Sequence, residues 1–162
     1  EFLIEAFAKI HTAFPDSKLL LLGDGVKKSL YIKTAAEYKI SDSVIMPGFV
    51  SDIRPWFWAS DVFVFPSDGR DAFGLSLLEA MACGLPSVAT DVGGPSDIIT
   101  SPNCGLMVPP SNSSEIARAV LNILTDSRLN DAMAVNSVNR ACDFDVSKIA
   151  ANIISCYNKL LA

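Results

Sequence analysis

The stretch Asp61 to Gly94, DVFVFPSDGRDAFGLSLLEAMACGLPSVATDVGG, decides the fold. Asp61-Val62-Phe63-Val64-Phe65-Pro66-Ser67 is a short apolar run closed by a proline, and it predicts a buried strand. Leu75 to Cys83 predict an apolar helix with one carboxylate in it. Ser87-Val88-Ala89-Thr90 predicts a second short strand, which exits through Asp91-Val92-Gly93-Gly94. Strand, helix and strand in that order form a β-α-β unit, so the two strands must be parallel.

The same alternation runs outward on both sides. Upstream, residues 2 to 13 place Leu3, Ala6, Phe7 and Ile10 on one side of an amphipathic helix, and the strand expected before that helix is absent. Phe14 to Ser17 predict a turn, Lys18 to Leu22 a buried strand ending at Gly23-Asp24-Gly25, and Lys27 to Tyr38 a helix. Ser43 to Val50 give the next strand with its exit loop, and Asp52 caps a short helix with Pro55 in its first turn. Downstream come a short helix near Ser96 to Ile99 and a strand over Gly105 to Val108 before Pro109-Pro110. From Ser114 onward the chain reads as helical, with Ile116, Val120, Ile123, Leu129 and Met133, then Val146, Ile149, Ile153, Tyr157 and Leu160, at core spacing.

Five short apolar strands separated by helices predict an α/β fold, a doubly wound parallel sheet of Rossmann-like type with helices on both faces. In a sheet ordered 3-2-1-4-5-6 the first strand is central. Its absence predicts unpaired inner edges and no direct pairing of Leu19 to Leu22 with Val62 to Phe65. Ligands bind such sheets at the carboxyl ends of the strands, where this chain has glycine-rich loops.

At 162 residues the chain suits one domain, residues 1–162, with a sizeable core. A net charge of -5 without a basic run argues against nucleic acid or an anionic membrane surface as main partner. No apolar run approaches the roughly 20 residues that span a bilayer, and the opening Glu1-Phe2-Leu3-Ile4-Glu5 reads as the edge of a piece cut from a longer protein. Cys83, Cys104, Cys142 and Cys156 lack C-x-x-C spacing and read as free thiols of a reducing compartment. His11 is the single histidine and sits beside Lys9 and Thr12, which suits a polar helix surface. A Ser-His-Asp triad or a histidine-based metal site has almost nothing to draw on.

The candidate site lies inside the deciding stretch. Gly74 removes a side chain where the chain turns into a helix, so the amides of about Phe73 to Ser76 face outward and can hold a phosphate without a lysine. Glu79 is the only charge between Asp71 and Asp91, and its two oxygens suit the paired hydroxyls of a ribose. On spacing alone, Ser76, Glu79 and Cys83 could equally be the solvent face of a buried helix. Gly23-Asp24-Gly25 has Lys28 where a dinucleotide fingerprint needs its third glycine, which argues against a nicotinamide enzyme. Trp56, Phe57 and Trp58 read as packing, and Arg70, Lys27 and Lys28 as solvated cations.

The run from Asp71 to Gly94 resembles the signature of the group 1 glycosyltransferases, the retaining family four with the two-domain type B fold. Ile4-Glu5-Ala6-Phe7, Leu22-Gly23-Asp24-Gly25, Pro47-Gly48-Phe49-Val50, Asp61 to Ser67 and Gly105 to Pro110 fall in the family's order. The resemblance implies the C-terminal, nucleotide-sugar (donor) binding half of a retaining, metal-independent transferase, with the N-terminal acceptor domain lying outside this chain. It implies catalytic roles for Asp71, beside the donor sugar and one methylene shorter than the family's Glu, and for Glu79, on the ribose. It also implies amide donors at Phe73, Gly74 and Leu75, a base site along Gly48, Phe49 and Val50, and a loop wall at Gly23 and Gly25. The family's phosphate-clamping Arg and Lys would precede Glu1. No cofactor or metal is implied, only a UDP- or GDP-linked sugar as substrate and a glycan or lipid-linked acceptor. A cytoplasmic location follows, with attachment at the inner membrane face through the absent domain. A fragment of this kind would be inactive alone. The alternative is a domain of the same fold that binds a nucleotide or a protein without catalysis.

Overall fold

Three strands carry the centre of the molecule: β3 (Phe63–Phe65), β4 (Ser87–Thr90) and β5 (Leu106–Val108), paired in parallel in the order β3-β4-β5. Phe63 lies opposite Ser87, and Val88 opposite Leu106. The computed structural model describes residues 1–69 and 73–161. Along β4 the side chains alternate between two cores, Val88 on one face and Ala89 on the other, as a pleat of period two requires. Val64 and Val108 share the Val88 face, while Phe65 and Met107 share the Ala89 face.

The Val88 face is covered by α1 (Phe2–Ala13) and α6 (Ser113–Thr125), through Ile4, Phe7, Ile10, Ile116, Val120 and Ile123. Asn112 caps α6 by accepting from the Glu115 amide at 3.1 Å. The Ala89 face is covered by α4 (Leu75–Ala82) and α5 (Gly94–Ile98), through Leu77, Met81 and Ile98, and α7 (Ser127–Ala141) packs beside α4. Helices thus lie on both faces of a parallel sheet, the doubly wound arrangement that the β-α-β alternation predicts. The strands are shorter than their apolar runs. Of Asp61 to Ser67 only Phe63–Phe65 pairs, because strand pairing ends where Pro66 and the flanking polar residues begin.

A second, two-stranded sheet joins β1 (Leu19–Leu22) to β2 (Val44–Gly48), with Leu19 opposite Val44. The helix α2 (Lys28–Glu37) lies between them in the chain. Leu19, Leu21 and Val44 reach the core shared with α1, α6 and β3–β5, so the two sheets back onto one apolar layer. Among the described residues β1 and β3 do not pair, and each presents an open edge, as the missing-first-strand expectation required.

Two sequence expectations change. α5 starts at Gly94 instead of near Ser96, with Pro95 in its first turn, where a missing amide costs nothing. The last helix, α8 (Val146–Leu161), has no buried residue. Its stripe at core spacing is uncovered, with Val146 80% and Leu160 82% exposed, because periodicity reports that a face is apolar and not what covers it. No helix among the described residues is long and apolar enough to cross a membrane.

Candidate donor site

α4 begins at Gly74, whose φ of 101° and ψ of 52° lie in a region that costs a residue with a Cβ but not glycine. From that turn the Leu77 and Leu78 amides both donate to the Gly74 carbonyl, at 3.1 and 3.2 Å. The amides of Leu75 and Ser76, which precede these two, have no acceptor within the helix. Among the described residues no side chain caps this end and no acidic residue occupies its first turn, so the positive end of the helix is not offset there. The far end is closed: Gly84, at φ 75°, donates to Met81 and Leu85 to Ala80, the paired bonds of a Schellman motif.

Glu79 lies one turn beyond Leu75, about 6 Å along the axis, on the exposed side of α4. Leu77, Ala80 and Met81 form the opposite, buried side. Among the described residues Glu79 has no hydrogen-bond or ion-pair partner, so both of its oxygens are available to a ligand. Of Ser76, Glu79 and Cys83 only Glu79 is fully exposed, while Ser76 and Cys83 are half-buried, so the solvent-face description holds for the carboxylate alone. Burial pushes the Cys83 thiol above its usual range, with Arg54 opposing and Glu79 reinforcing. Arg54, at the start of α3 (Arg54–Trp58), is held by Asp52 at 2.9 Å, and this ion pair lowers the Asp52 carboxyl and raises the guanidinium.

The strand ends are tied into this corner by a contact that no motif announced. Thr90, buried at the end of β4, donates its hydroxyl to the Ser67 carbonyl at 2.7 Å, with the Phe65 carbonyl at 3.3 Å. Ser67 is itself buried and accepts from the Gly69 amide at 3.2 Å, fixing the chain as it leaves β3. Asp71 and Arg70, which follow, lie outside the described residues. Phe73 is half-buried and packs on Phe144 from the turn after α7, with ring centroids 5.7 Å apart.

The remaining expected donor residues sit at the ends of β1 and β2. The Gly23 amide donates to the Gly48 carbonyl at 2.8 Å, which brings the two exit loops together. Gly23 and Gly25 line a cavity of about 370 Å³ with Lys27, Tyr31 and Met46. Phe49 is 82% exposed and Val50 half-buried. Phe73, Gly74, Leu75 and Glu79 therefore form one group at and along the start of α4, and Gly23, Gly25, Gly48, Phe49 and Val50 a second at the ends of β1 and β2.

Other expected roles are settled by contacts. Lys28 pairs with Asp24 at 3.8 Å. Phe57 is buried, but Trp58 is 69% exposed and does not pack as the aromatic run suggested, because a five-residue helix buries one side only. His11 is half-buried and no plain surface group. Its ring nitrogens lie 3.1 Å from Ser17 Oγ and 3.3 Å from Ser43 Oγ, which ties α1 to the segments before β1 and β2.

The family described as "Glycosyl transferases group 1" matches residues 1–126. N-acetyl-alpha-D-glucosaminyl L-malate synthase of Bacillus anthracis is 34% identical over 130 residues, covering 80% of this chain and 34% of that protein. Anabaena Alr3699/HepE, solved in complex with UDP, superposes with a TM-score of 0.88 at 27% identity, over 98% of this chain and 44% of that one. The C-terminal domain of a group 1 family protein, LpcC of Francisella tularensis, superposes with a TM-score of 0.78 at 27% identity, over 87% of this chain and 76% of that one. The chain thus spans 34% of the Bacillus anthracis protein and 44% of HepE, and it belongs to the group 1 glycosyl transferases.

Proposed function

We propose that residues 1–162 are the donor-binding domain of a retaining, metal-independent glycosyltransferase. It takes a UDP- or GDP-linked sugar and passes the sugar to a glycan or lipid-linked acceptor held by an N-terminal domain. The observation that carries this reading is the left-handed Gly74 turn that opens the α4 amides, with the unpartnered Glu79 one turn behind it. Amides there neutralise the diphosphate, and the Glu79 carboxylate accepts both ribose hydroxyls. The HepE structure was solved in complex with UDP, which supports a nucleotide-linked donor for a protein of this fold.

In the reaction the bond from the anomeric carbon to the diphosphate oxygen breaks as the acceptor oxygen bonds to the same face of that carbon. The acceptor proton passes to the departing phosphate. Negative charge grows on the phosphate, where fixed amide donors stabilise it, while Asp71 serves the oxocarbenium-like sugar. Gly48, Phe49 and Val50 receive the base, and Gly23 and Gly25 wall the sugar phosphate. Basic groups and a central strand from an upstream segment complete the clamp and the open edges of β1 and β3. The domain by itself is inactive. The enzyme works in the cytoplasm, at the inner membrane face.

Thermal-shift titration with UDP, GDP and ADP tests the reading. The preferred nucleotide, at a hundred times its Kd, stabilises the fold by about 2.7 kcal/mol. Glu79→Ala removes charged hydrogen bonds worth about 1.5–3 kcal/mol in all, so affinity falls by roughly 10- to 150-fold. An unchanged affinity in that variant would exclude Glu79 as the ribose ligand.

A further inference from the structure

Arg140 lies in the last turn of α7 with its side chain 23% exposed, and each of its three guanidinium nitrogens donates a hydrogen bond. Nε donates to the Ile98 carbonyl at 2.8 Å, one terminal nitrogen to the Asp97 carbonyl and the other to the Asp143 carboxylate at 3.1 Å. Its carbon centre stands 4.6 Å from the centroid of the Phe144 ring. Phe144 in turn meets Phe73 edge to face, with 65° between the rings.

These contacts lead to the Gly74 turn of the candidate site and to the Gly93-Gly94 exit of β4. Asp97 and Ile98 are close to the end of α5, whose first residue is Gly94, and Phe73 directly precedes Gly74. A five-residue helix is too short to hold itself, and its last carbonyls need outside donors. Arg140 supplies them with two nitrogens while its flat face presses on the ring behind Phe73. A lysine could not do both, since an ammonium is a point donor with no planar face.

We infer that Arg140 is a positioning residue for the donor diphosphate, holding the Phe73-Gly74 turn through Phe144 and the Gly93-Gly94 turn through α5. This rests on the proposed function, since it needs the α4 amides to meet phosphate. Phosphate recognition by amides depends on where the backbone sits, whereas the exposed Glu79 can meet ribose from a loosened corner. Arg140 therefore governs diphosphate binding and leaves nucleoside binding alone.

The test uses the protein in its full natural length and isothermal titration with UDP and uridine, with GDP and guanosine, and with ADP and adenosine. The pair that the wild type binds is the one compared. Arg140→Lys is expected to weaken the diphosphate about tenfold, or about 1.4 kcal/mol, while the nucleoside changes by less than about twofold. Phe144→Leu, which keeps apolar volume and removes the ring face, shifts the same ratio in the same direction. Glu79→Ala lowers both affinities by a similar factor. A diphosphate-to-nucleoside ratio in Arg140→Lys within about twofold of wild type overturns the inference, whether the two affinities hold or fall together. If Arg140→Lys does not fold, the Phe144→Leu ratio decides alone. A wild type that binds none of the three diphosphates overturns the proposed function, and the inference with it.

Discussion

Replacing Gly74 by alanine separates backbone strain from crowding at the corner on which the site depends. A Cβ built at Gly74 would lie 3.5 Å from Phe65 Cζ, 3.6 Å from Phe65 Cε1 and 3.7 Å from Ile98 Cδ1, which are ordinary contact distances. Space is therefore available, and the cost must come from the φ of 101°. A left-handed conformation costs a residue with a Cβ about 1–2 kcal/mol. The position lies beyond the usual left-handed minimum, which places the cost toward the upper end. Urea unfolding followed by the fluorescence of Trp56 and Trp58 reads this directly. With a slope of about 2 kcal/mol per molar, the midpoint falls by roughly 0.5–1 M. If the chain instead relieves the strain by turning the Gly74 peptide, the stability loss shrinks and diphosphate affinity falls, since the amides leave their places. Unchanged stability together with unchanged diphosphate affinity would refute the argument that this turn is held by glycine for a ligand.

Two further outcomes follow from neighbouring contacts. Thr90→Val keeps the shape of the end of β4 but removes the donor to the Ser67 carbonyl, a buried acceptor; the cost is about 1–3 kcal/mol in chemical denaturation, and a loss within experimental error would show that the tether is idle. Cys83, whose protonated form is favoured by burial, should be alkylated by iodoacetamide at pH 8 more slowly than the exposed Cys142 and Cys156, and more slowly still with nucleotide bound one turn away at Glu79. The folded thiol value lies above the ordinary 9.0, so this group's contribution to stability is complete below about pH 9 and is lost as pH rises through the folded value. Peptide mapping that finds Cys83 labelled as fast as Cys142 would exclude that burial effect.

The doubly wound order was legible because each strand carries its own punctuation. Ser87 to Thr90 is bounded by Pro86 and by Asp91 with a glycine pair, and the structure begins and ends the strand at those residues. Gly74 and Glu79 were legible for a similar local reason, since a glycine before an apolar helix and a single carboxylate within it are visible without neighbours. The Thr90 bond to Ser67 spans 23 positions and the Arg140 bonds to α5 span 42 and 43. Nothing in composition or period reports a side chain whose partner is a distant carbonyl. The apolar stripe of α8 misled for the converse reason: its spacing is real, but burial belongs to a pair of surfaces and the helix supplies only one.

The same division between local and distant signals separates the parts of the site by the kind of energy they contribute. Glu79 is exposed, its side chain has no hydrogen-bond or ion-pair partner among the described residues, and it contributes little to the fold, so its loss should appear in binding and hardly at all in unfolding. Thr90 and Arg140 sit behind the site, and their groups satisfy carbonyls that would otherwise be left without donors. A rigid phosphate cradle made of backbone amides needs such residues, because amides cannot adjust as a lysine side chain can. The stability of this corner and the affinity for a diphosphate proposed for it should therefore fall together when the residues behind it change, and separate when the Glu79 carboxylate does.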